Sequence, residues 1–256
     1  GVVATCNYEA RKYGVRSAMN IKEAFRRCSK GIFMHPNFDK YREVSNKLHE
    51  ILESYTDITE YIALDEGYLD LTNRVSSWEE ACEIARLLKE RIRKELGLTC
   101  SVGVAYSKTA AKTASEEKKP DGYFEIKTRE DFVNLVIDRD VRTLYTVGKK
   151  TAGKLHMYGV DTVRDLQDKS DFVKKFMGKQ GEYLVDLAFG YDNRKVMPYK
   201  QEDAKSISKE FTFQKDVSSF KLLDDVLFIL AFRVEERAKR LGLYGEGVSL
   251  KITYSD

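Results

Sequence analysis

The sequence predicts an α+β chain of one to two domains, with room for three small ones. Three observations predict it. The 256 residues exceed the ~150 of an average domain. Residues 60–126 read strand, strand, helix, strand, helix, an α+β unit with an antiparallel sheet core. From about Thr128 to Gly190 the pattern is all helix in short pieces.

Taken in order, residues 1–7 read as a strand and then a loop through Gly14. Asn20 and Glu23 suit a helix cap and its partner, with Ile21, Ala24, Phe25 and Cys28 on one apolar face and Lys22, Arg26 and Arg27 left exposed. A second helix starts near Asp39, where Tyr41, Val44, Leu48, Ile51, Leu52 and Tyr55 repeat at a spacing of three or four. Two short strands over 60–72 meet near Asp65-Glu66. Ser77 and Glu80 cap a third helix with Ala81, Ile84, Ala85, Leu88 and Ile92 facing inward. Residues 98–106 read as a strand, and Lys108 to Lys118 as a helix closed by the turn Pro120-Asp121-Gly122. Residues 191–205 are polar and aperiodic, hence a linker. Residues 206–256 read strand, long helix at about 219–241, strand.

Composition narrows the class. The chain is 42% hydrophobic and 33% charged, with net charge +3, which suits a soluble folded protein and excludes a disordered one. No apolar run reaches the ~18 residues of a membrane span, and residues 1–30 carry seven basic side chains and no signal-peptide core. Cys6, Cys28, Cys82 and Cys100 are far apart, as are His35, His49 and His156, which argues against a zinc site or a disulfide framework and for a reducing, cytoplasmic compartment. The strand-like opening Gly1-Val2-Val3-Ala4 has no initiator Met, and the strand-like end at Leu250–Asp256 stops in mid-pattern. Both predict a piece of a longer protein.

Charge is uneven. Residues 1–37 hold seven basic and two acidic side chains, residues 38–126 thirteen and eighteen, and residues 127–200 fifteen and eleven. Two basic segments flanking an acidic one fit phosphate-binding surfaces on either side of a cation-binding centre. Ordinary solvated faces fit as well.

The acidic segment contains Leu64-Asp65-Glu66-Gly67-Tyr68-Leu69-Asp70. Two carboxylates among apolar strand residues are costly unless they meet a cation. Neighbouring strand residues face opposite ways, so both reach one ion only at a bend, which Gly67 would permit. Hard oxygen ligands suit Mg²⁺. The competing reading is a solvated turn between edge strands.

In the first basic segment Thr5, Tyr8 and Arg11 gather a hydroxyl, a phenol and a guanidinium; Tyr8 and Arg11 are three apart and share a helical face. Lys112, Lys118 and Lys119 cluster before Pro120, with Lys119 placed to act as a point charge on a phosphate. Each taken singly is equally a surface cation. The second basic segment runs Leu144-Tyr145-Thr146-Val147-Gly148-Lys149-Lys150-Thr151 and on through Leu166, two short helices joined by a turn. This fits a helix-hairpin-helix whose backbone N–H groups hold a DNA phosphate, or an ordinary helical hairpin.

As an ordered set these motifs resemble the Y-family, lesion-bypass DNA polymerases of the ImpB/MucB/SamB, DNA polymerase IV type. The residues that carry the resemblance are Tyr8-Glu9-Ala10-Arg11-Lys12, Gly14 to Met19, Asp65-Glu66 with Tyr68-Leu69-Asp70, and Ser101 to Val104. They continue with Lys108, Ala111-Lys112, Ala114-Ser115, Lys119-Pro120 with Gly122, the hairpin near Gly148, and Lys205-Ser206-Ile207-Ser208 with Glu210.

The resemblance implies a polymerase right hand: fingers at 1–37, palm at 38–126, an all-helical thumb at 127–193, a linker at 194–204 and part of a little finger at 205–256. It implies a template-directed, error-prone polymerase of translesion synthesis that adds deoxynucleotides to a primer 3′ end by two-metal phosphoryl transfer. By the same resemblance Asp65 and Glu66 hold two Mg²⁺ ions, and Thr5, Tyr8, Arg11 and Lys119 bind the incoming triphosphate. Gly148, Lys149, Lys150, Thr151, Lys205 and Ser206 bind DNA. Primer-template DNA and deoxynucleoside triphosphates are the implied partners, with a sliding clamp engaged through a tail beyond Asp256. The family's first metal-binding Asp falls upstream of Gly1, so residues 1–256 alone are expected to be inactive. This sequence has Gly67 where the family more often has Ala, Ser107 where Asn is usual, and Tyr145-Thr146 where Pro-Gly is usual. A non-catalytic DNA-binding relative acting as a repair scaffold is the alternative. A nucleotide cyclase, with a similar palm, has no need of the hairpin at 144–166.

Overall fold

A computed structural model of the chain describes residues 1–198 and 205–254. The part of the linker at 199–204 lies outside the described residues.

The first segment is held by short-range bonds. Residues 1–7 form no strand: the run makes one bridge, Val2 to Asn20, flanked by backbone bonds from Val3 to Met19 and from Ile21 to Gly1, before the chain turns away. The chain then turns into α1 (Tyr8–Lys12), where a loop was expected, since Asn7 accepts from Ala10 N and caps it. Asn20 caps α2 (Ile21–Arg27), while Glu23 pairs with Arg27 instead of closing a capping box. Val3, Val15 and Ala24 form the small core beneath.

α3 (Phe38–Glu53) is capped by Asn37. It packs on α4 (Trp78–Leu96), which Ser77 caps and Gly97, with φ +66°, ends. Between them in sequence, β1 (Thr59–Tyr61) and β2 (Gly67–Leu69) pair antiparallel, with Tyr61 opposite Gly67. Ile51, Leu52, Leu88 and Ile92 are the core of this layer.

β3 (Val102–Ala105) and β4 (Tyr123–Ile126) pair parallel. The expected antiparallel sheet therefore holds for β1–β2 only. The reason is the crossover: α5 (Lys108–Glu117) lies between β3 and β4 and carries the chain back to the same end. α5 sits directly on β3, because Gly103 has no side chain to hold it off; a Cβ there would overlap the Ala111 carbonyl.

Short helices follow. α6 (Arg129–Val136) and α8 (Val163–Asp168) open with capping boxes, Thr128 with Asp131 and Thr162 with Asp165. α7 (Lys149–His156), α9 (Ser170–Met177) and α10 (Lys179–Ala188) complete the group. Phe132, Leu144, Leu155, Leu166 and Leu184 are buried with Ala110, Ala114 and Ile126, so one core runs from α5 and β4 into these helices. α11 (Phe220–Leu241) is capped by Ser219 and ended by Gly242. The strands expected on either side of α11 do not form: among the described residues neither segment has a neighbour to share a hydrogen-bond ladder with, and an extended run without one gains nothing. Among the described residues no helix is long and apolar enough to cross a membrane.

Candidate active site

The two acids stand at the tip of the β1–β2 hairpin. Residues 62–66 form its loop, closed by bonds from the Ile62 and Ala63 amides to the Glu66 carbonyl at 3.0 and 3.4 Å. Buried Ser45 on α3 donates to the Leu64 carbonyl at 2.6 Å and pins the loop from below. Asp65 is exposed, and its carboxylate accepts no hydrogen bond among the described residues. Glu66 follows it at the start of β2. Gly67 adopts no left-handed conformation. Its role is close approach, since a Cβ there would sit 3.3 Å from both the Glu60 carbonyl and the Tyr61 ring.

α5 faces this loop. Its first turn is fixed by Ser107, which accepts from Ala110 N. The i, i+4 spacing along it aligns Lys108, Lys112 and Glu116. Lys108 holds Glu60 of β1 through both carboxylate oxygens, at 2.7 and 2.6 Å. Lys112 donates to Glu66 at 3.0 Å and reaches Glu116 at 3.0 Å, and Lys119 reaches the same Glu116 oxygen at 2.8 Å. The result is a string of alternating charge, Glu66–Lys112–Glu116–Lys119. Burial works against the ionised form of Glu116, but the bonds from Lys119 and Lys112 outweigh it and hold its carboxyl below the usual range.

Tyr8 and Arg11 meet on α1, where the Arg11 guanidinium lies 5.6 Å from the Tyr8 ring centroid and its Nε donates to the Cys6 carbonyl at 3.3 Å. Thr5 is exposed beside them. Among the described residues no hydrogen bond or ion pair ties this group to the hairpin acids or to Lys119. The structure thus forms two groups: Lys119 with the hairpin acid Glu66, and Tyr8 with Arg11.

Gly148 is the N-cap of α7, and Lys149, Lys150 and Thr151 form its first turn. The N–H groups of those three residues find no acceptor among the described residues, and nothing stands within 4 Å of where a Gly148 Cβ would be. A 3₁₀ turn at Val141–Thr143, not an α-helix, precedes this hairpin. Thr146 has φ +81°, the left-handed conformation that glycine takes readily. An open cleft of about 700 Å³ separates the turn from α5, lined by Lys112, Glu116, Arg139, Arg142, Tyr145 and Gly148. Lys205 and Ser206 are exposed in a segment without regular structure and are not among this cleft's lining residues.

Asp65 and Glu66 supply two hard carboxylates, one of them free of hydrogen bonds, and that chemistry suits a divalent cation that completes its shell with water and phosphate oxygens. Among the described residues no three acidic, histidine or cysteine side chains gather as a metal cluster.

Sequence reasoning missed the partners that order the site. Tyr68, two residues after Glu66, buries a hydroxyl with no partner among the described residues, and burial pushes its pKa up to about 12. Asp192, with 1% of its side chain exposed, accepts from the Thr109 amide at 2.9 Å and so caps α5 from 83 residues away. Lys108–Glu116 spacing was a usable signal; the Asp192 contact left none.

The impB/mucB/samB family model matches residues 1–116, and the impB/mucB/samB family C-terminal domain matches residues 204–256. The chain is 43% identical to DNA polymerase IV of Listeria monocytogenes serotype 4b over its whole length, spanning 71% of that protein. It is 40% identical to DNA polymerase IV 2 of Agrobacterium fabrum, again over the whole chain and 71% of the relative. Among solved structures it resembles DinB from Sulfolobus solfataricus, with TM-score 0.70 and 32% identity over 77% of this chain and 58% of that one. It also resembles a Y-family DNA polymerase chimera of Dbh and Dpo4, with TM-score 0.84 and 29% identity over 93% and 69%.

Proposed function

The chain belongs to the impB/mucB/samB family, the Y-family of lesion-bypass DNA polymerases, and from that premise we propose that it forms the fingers, palm, thumb and part of the little finger of a template-directed DNA polymerase that copies past damaged bases. A primer 3′-hydroxyl attacks the α-phosphate of a deoxynucleoside triphosphate and pyrophosphate leaves. Y-family polymerases use divalent metal ions, generally Mg²⁺. Asp65 and Glu66 are the residues that would hold them here, and the ions, when bound, supply Lewis-acid stabilisation of phosphoryl oxygens.

The chain's own residues position and neutralise. Lys119 and Arg11 meet triphosphate charge, Tyr8 orients it beside Arg11, and Thr5 adds a hydroxyl at the same end. The free amides of α7, with Lys149 and Lys150, receive a DNA phosphate without reading bases. Lys205 and Ser206 extend that grip toward the little finger. The reading places the chain in the cytoplasm, in keeping with four unpaired cysteines.

The observation that carries this reading is the charge string from Glu66 through Lys112 and Glu116 to Lys119, which links the hairpin acid with the triphosphate cation. A repair scaffold without catalysis has no need of that link. The test is primer extension by the full gene product. Extension that requires Mg²⁺ and disappears in Asp65→Asn supports the reading; DNA binding without extension overturns it, and a salt series reports the phosphate contacts separately.

A further inference from the structure

The segment after α10 is not a free tether. Tyr106 donates to the Gly190 carbonyl at 2.7 Å, Arg129 lies 4.5 Å from the Tyr191 ring centroid, and the Met197 amide donates to Glu60 at 2.8 Å. At its centre Asp192 and Arg194 close a ring with Thr109 of α5. Asp192 Oδ2 accepts from the Thr109 amide and hydroxyl at 2.9 and 2.7 Å. Arg194 Nε and Nη2 donate to the two Asp192 oxygens, each at 2.8 Å, and Nη2 also donates to the Thr109 hydroxyl at 3.0 Å. The Cζ of the same guanidinium lies over the Tyr145 ring, 5.7 Å from its centroid, and over the Tyr183 ring, 5.5 Å from its centroid. One side chain therefore reaches the first turn of α5, Tyr183 of α10 and Tyr145 within the 144–148 turn.

We propose that Arg194 is a positioning residue that locks the 144–148 turn against α5, so that the cleft between Lys112 and Gly148 is held open to a DNA backbone. The inference rests on the polymerase reading for its ligand, but not for the coupling itself. The chemistry calls for arginine. Its planar fork gives two bonds to Asp192 while its charge stays over the Tyr145 ring. A lysine would keep the charge opposite buried Asp192 and lose the fork that reaches both its oxygens and Thr109 at once. Thr146 makes the lock useful: a β-branched residue at positive φ is held there only by its surroundings, and Tyr145 is the neighbour that Arg194 holds.

The test compares Arg194→Lys, Tyr145→Leu and the double variant in the full gene product. In each single variant the Kd for primer-template DNA is expected to rise about tenfold, with the nucleotide KM within about twofold. The double variant should be no worse than either single one, because both cut the same contact. Amide exchange should accelerate at Val147 and Gly148 in Arg194→Lys, and at Thr109 and Ala110 in Tyr145→Leu. Losses that multiply in the double variant, or exchange at those amides left unchanged, overturn the proposal. If Arg194→Lys fails to fold, Tyr145→Leu decides alone through exchange at Thr109 and Ala110. If the unmodified protein does not bind primer-template DNA, the polymerase reading fails while the exchange comparison still judges the coupling.

Discussion

Lys112 donates to a carboxylate oxygen of Glu66 at 3.0 Å, and that bond joins α5 to the loop between β1 and β2. Burial by itself would lower the Lys112 pKa; bonds to Glu66 and Glu116 outweigh it and hold the ammonium above its usual value. A fully charged ammonium therefore occupies one of the two oxygens that a divalent ion would seek.

Removing that charge should favour the ion. In Lys112→Gln the half-saturating Mg²⁺ concentration is expected to fall about threefold, since a competing positive charge has gone. Stability should change by less than ~1 kcal/mol, because the pair is partly exposed and screened. Calorimetric titration with Mg²⁺ alone checks the first expectation, and urea unfolding the second. An unchanged or higher half-saturation would separate Lys112 from the metal site.

Thr146→Gly should stabilise the protein. A non-glycine residue in the left-handed region costs ~1–2 kcal/mol, more so when β-branched, while added chain freedom in the unfolded state takes back part of the gain. A net gain of ~0.5–1 kcal/mol by denaturant unfolding is expected. Loss of stability would mean that the Thr146 side chain makes up for its backbone.

Gly103→Ala should do the opposite. The added Cβ would meet the Ala111 carbonyl, the Ser115 amide at 2.5 Å and the Ala114 Cβ at 2.6 Å, and none of these is the end of a flexible chain. α5 would have to lift from β3, at a cost of ~3 kcal/mol. Because Lys108 and Lys112 ride on α5, primer extension by the full gene product should fall with stability. Thermal unfolding within about 2 °C of the unmodified protein would contradict the close packing.

Helix starts at Asn20, Ser77 and the run from Lys108 were legible within a residue or two because their signal is local, whereas the five-residue α1 behind its Asn7 cap was not. Strand pairing was not. Val2 and Val3 read as a strand and found one bridge, and β3–β4 run parallel because the intervening helix sets direction, which residue type does not encode. The hairpin acids were legible as a pair near a turn. The link from Glu66 to Lys119 was not, because it passes through Lys112 and Glu116 on an element 46 residues further on. At Thr146 the unusual residue was visible in the sequence, but the left-handed backbone beneath it was a fact of tertiary structure.

Asp192 carries a pH signature of its own. Burial would raise its carboxyl, but bonds from Arg194 and from the Thr109 side chain and amide outweigh it and hold the pKa far below the usual carboxylate range. Its folded pKa lies under its unfolded value of ~3.9, so its stabilising contribution is complete above about pH 4 and drains away as pH falls toward the folded value. Asp192→Asn keeps the shape and removes the charge. At pH 7 it should cost about 2 kcal/mol, less than a fully buried broken pair because Arg194 retains partial access to water. Below pH ~3 the difference from the unmodified protein should shrink, since the unfolded chain then binds a proton at Asp192 that the folded chain still excludes. Urea unfolding at pH 7 and near pH 2.5 measures both gaps; a gap of equal size at the two pH values would overturn the assignment of the effect to the ionised carboxylate.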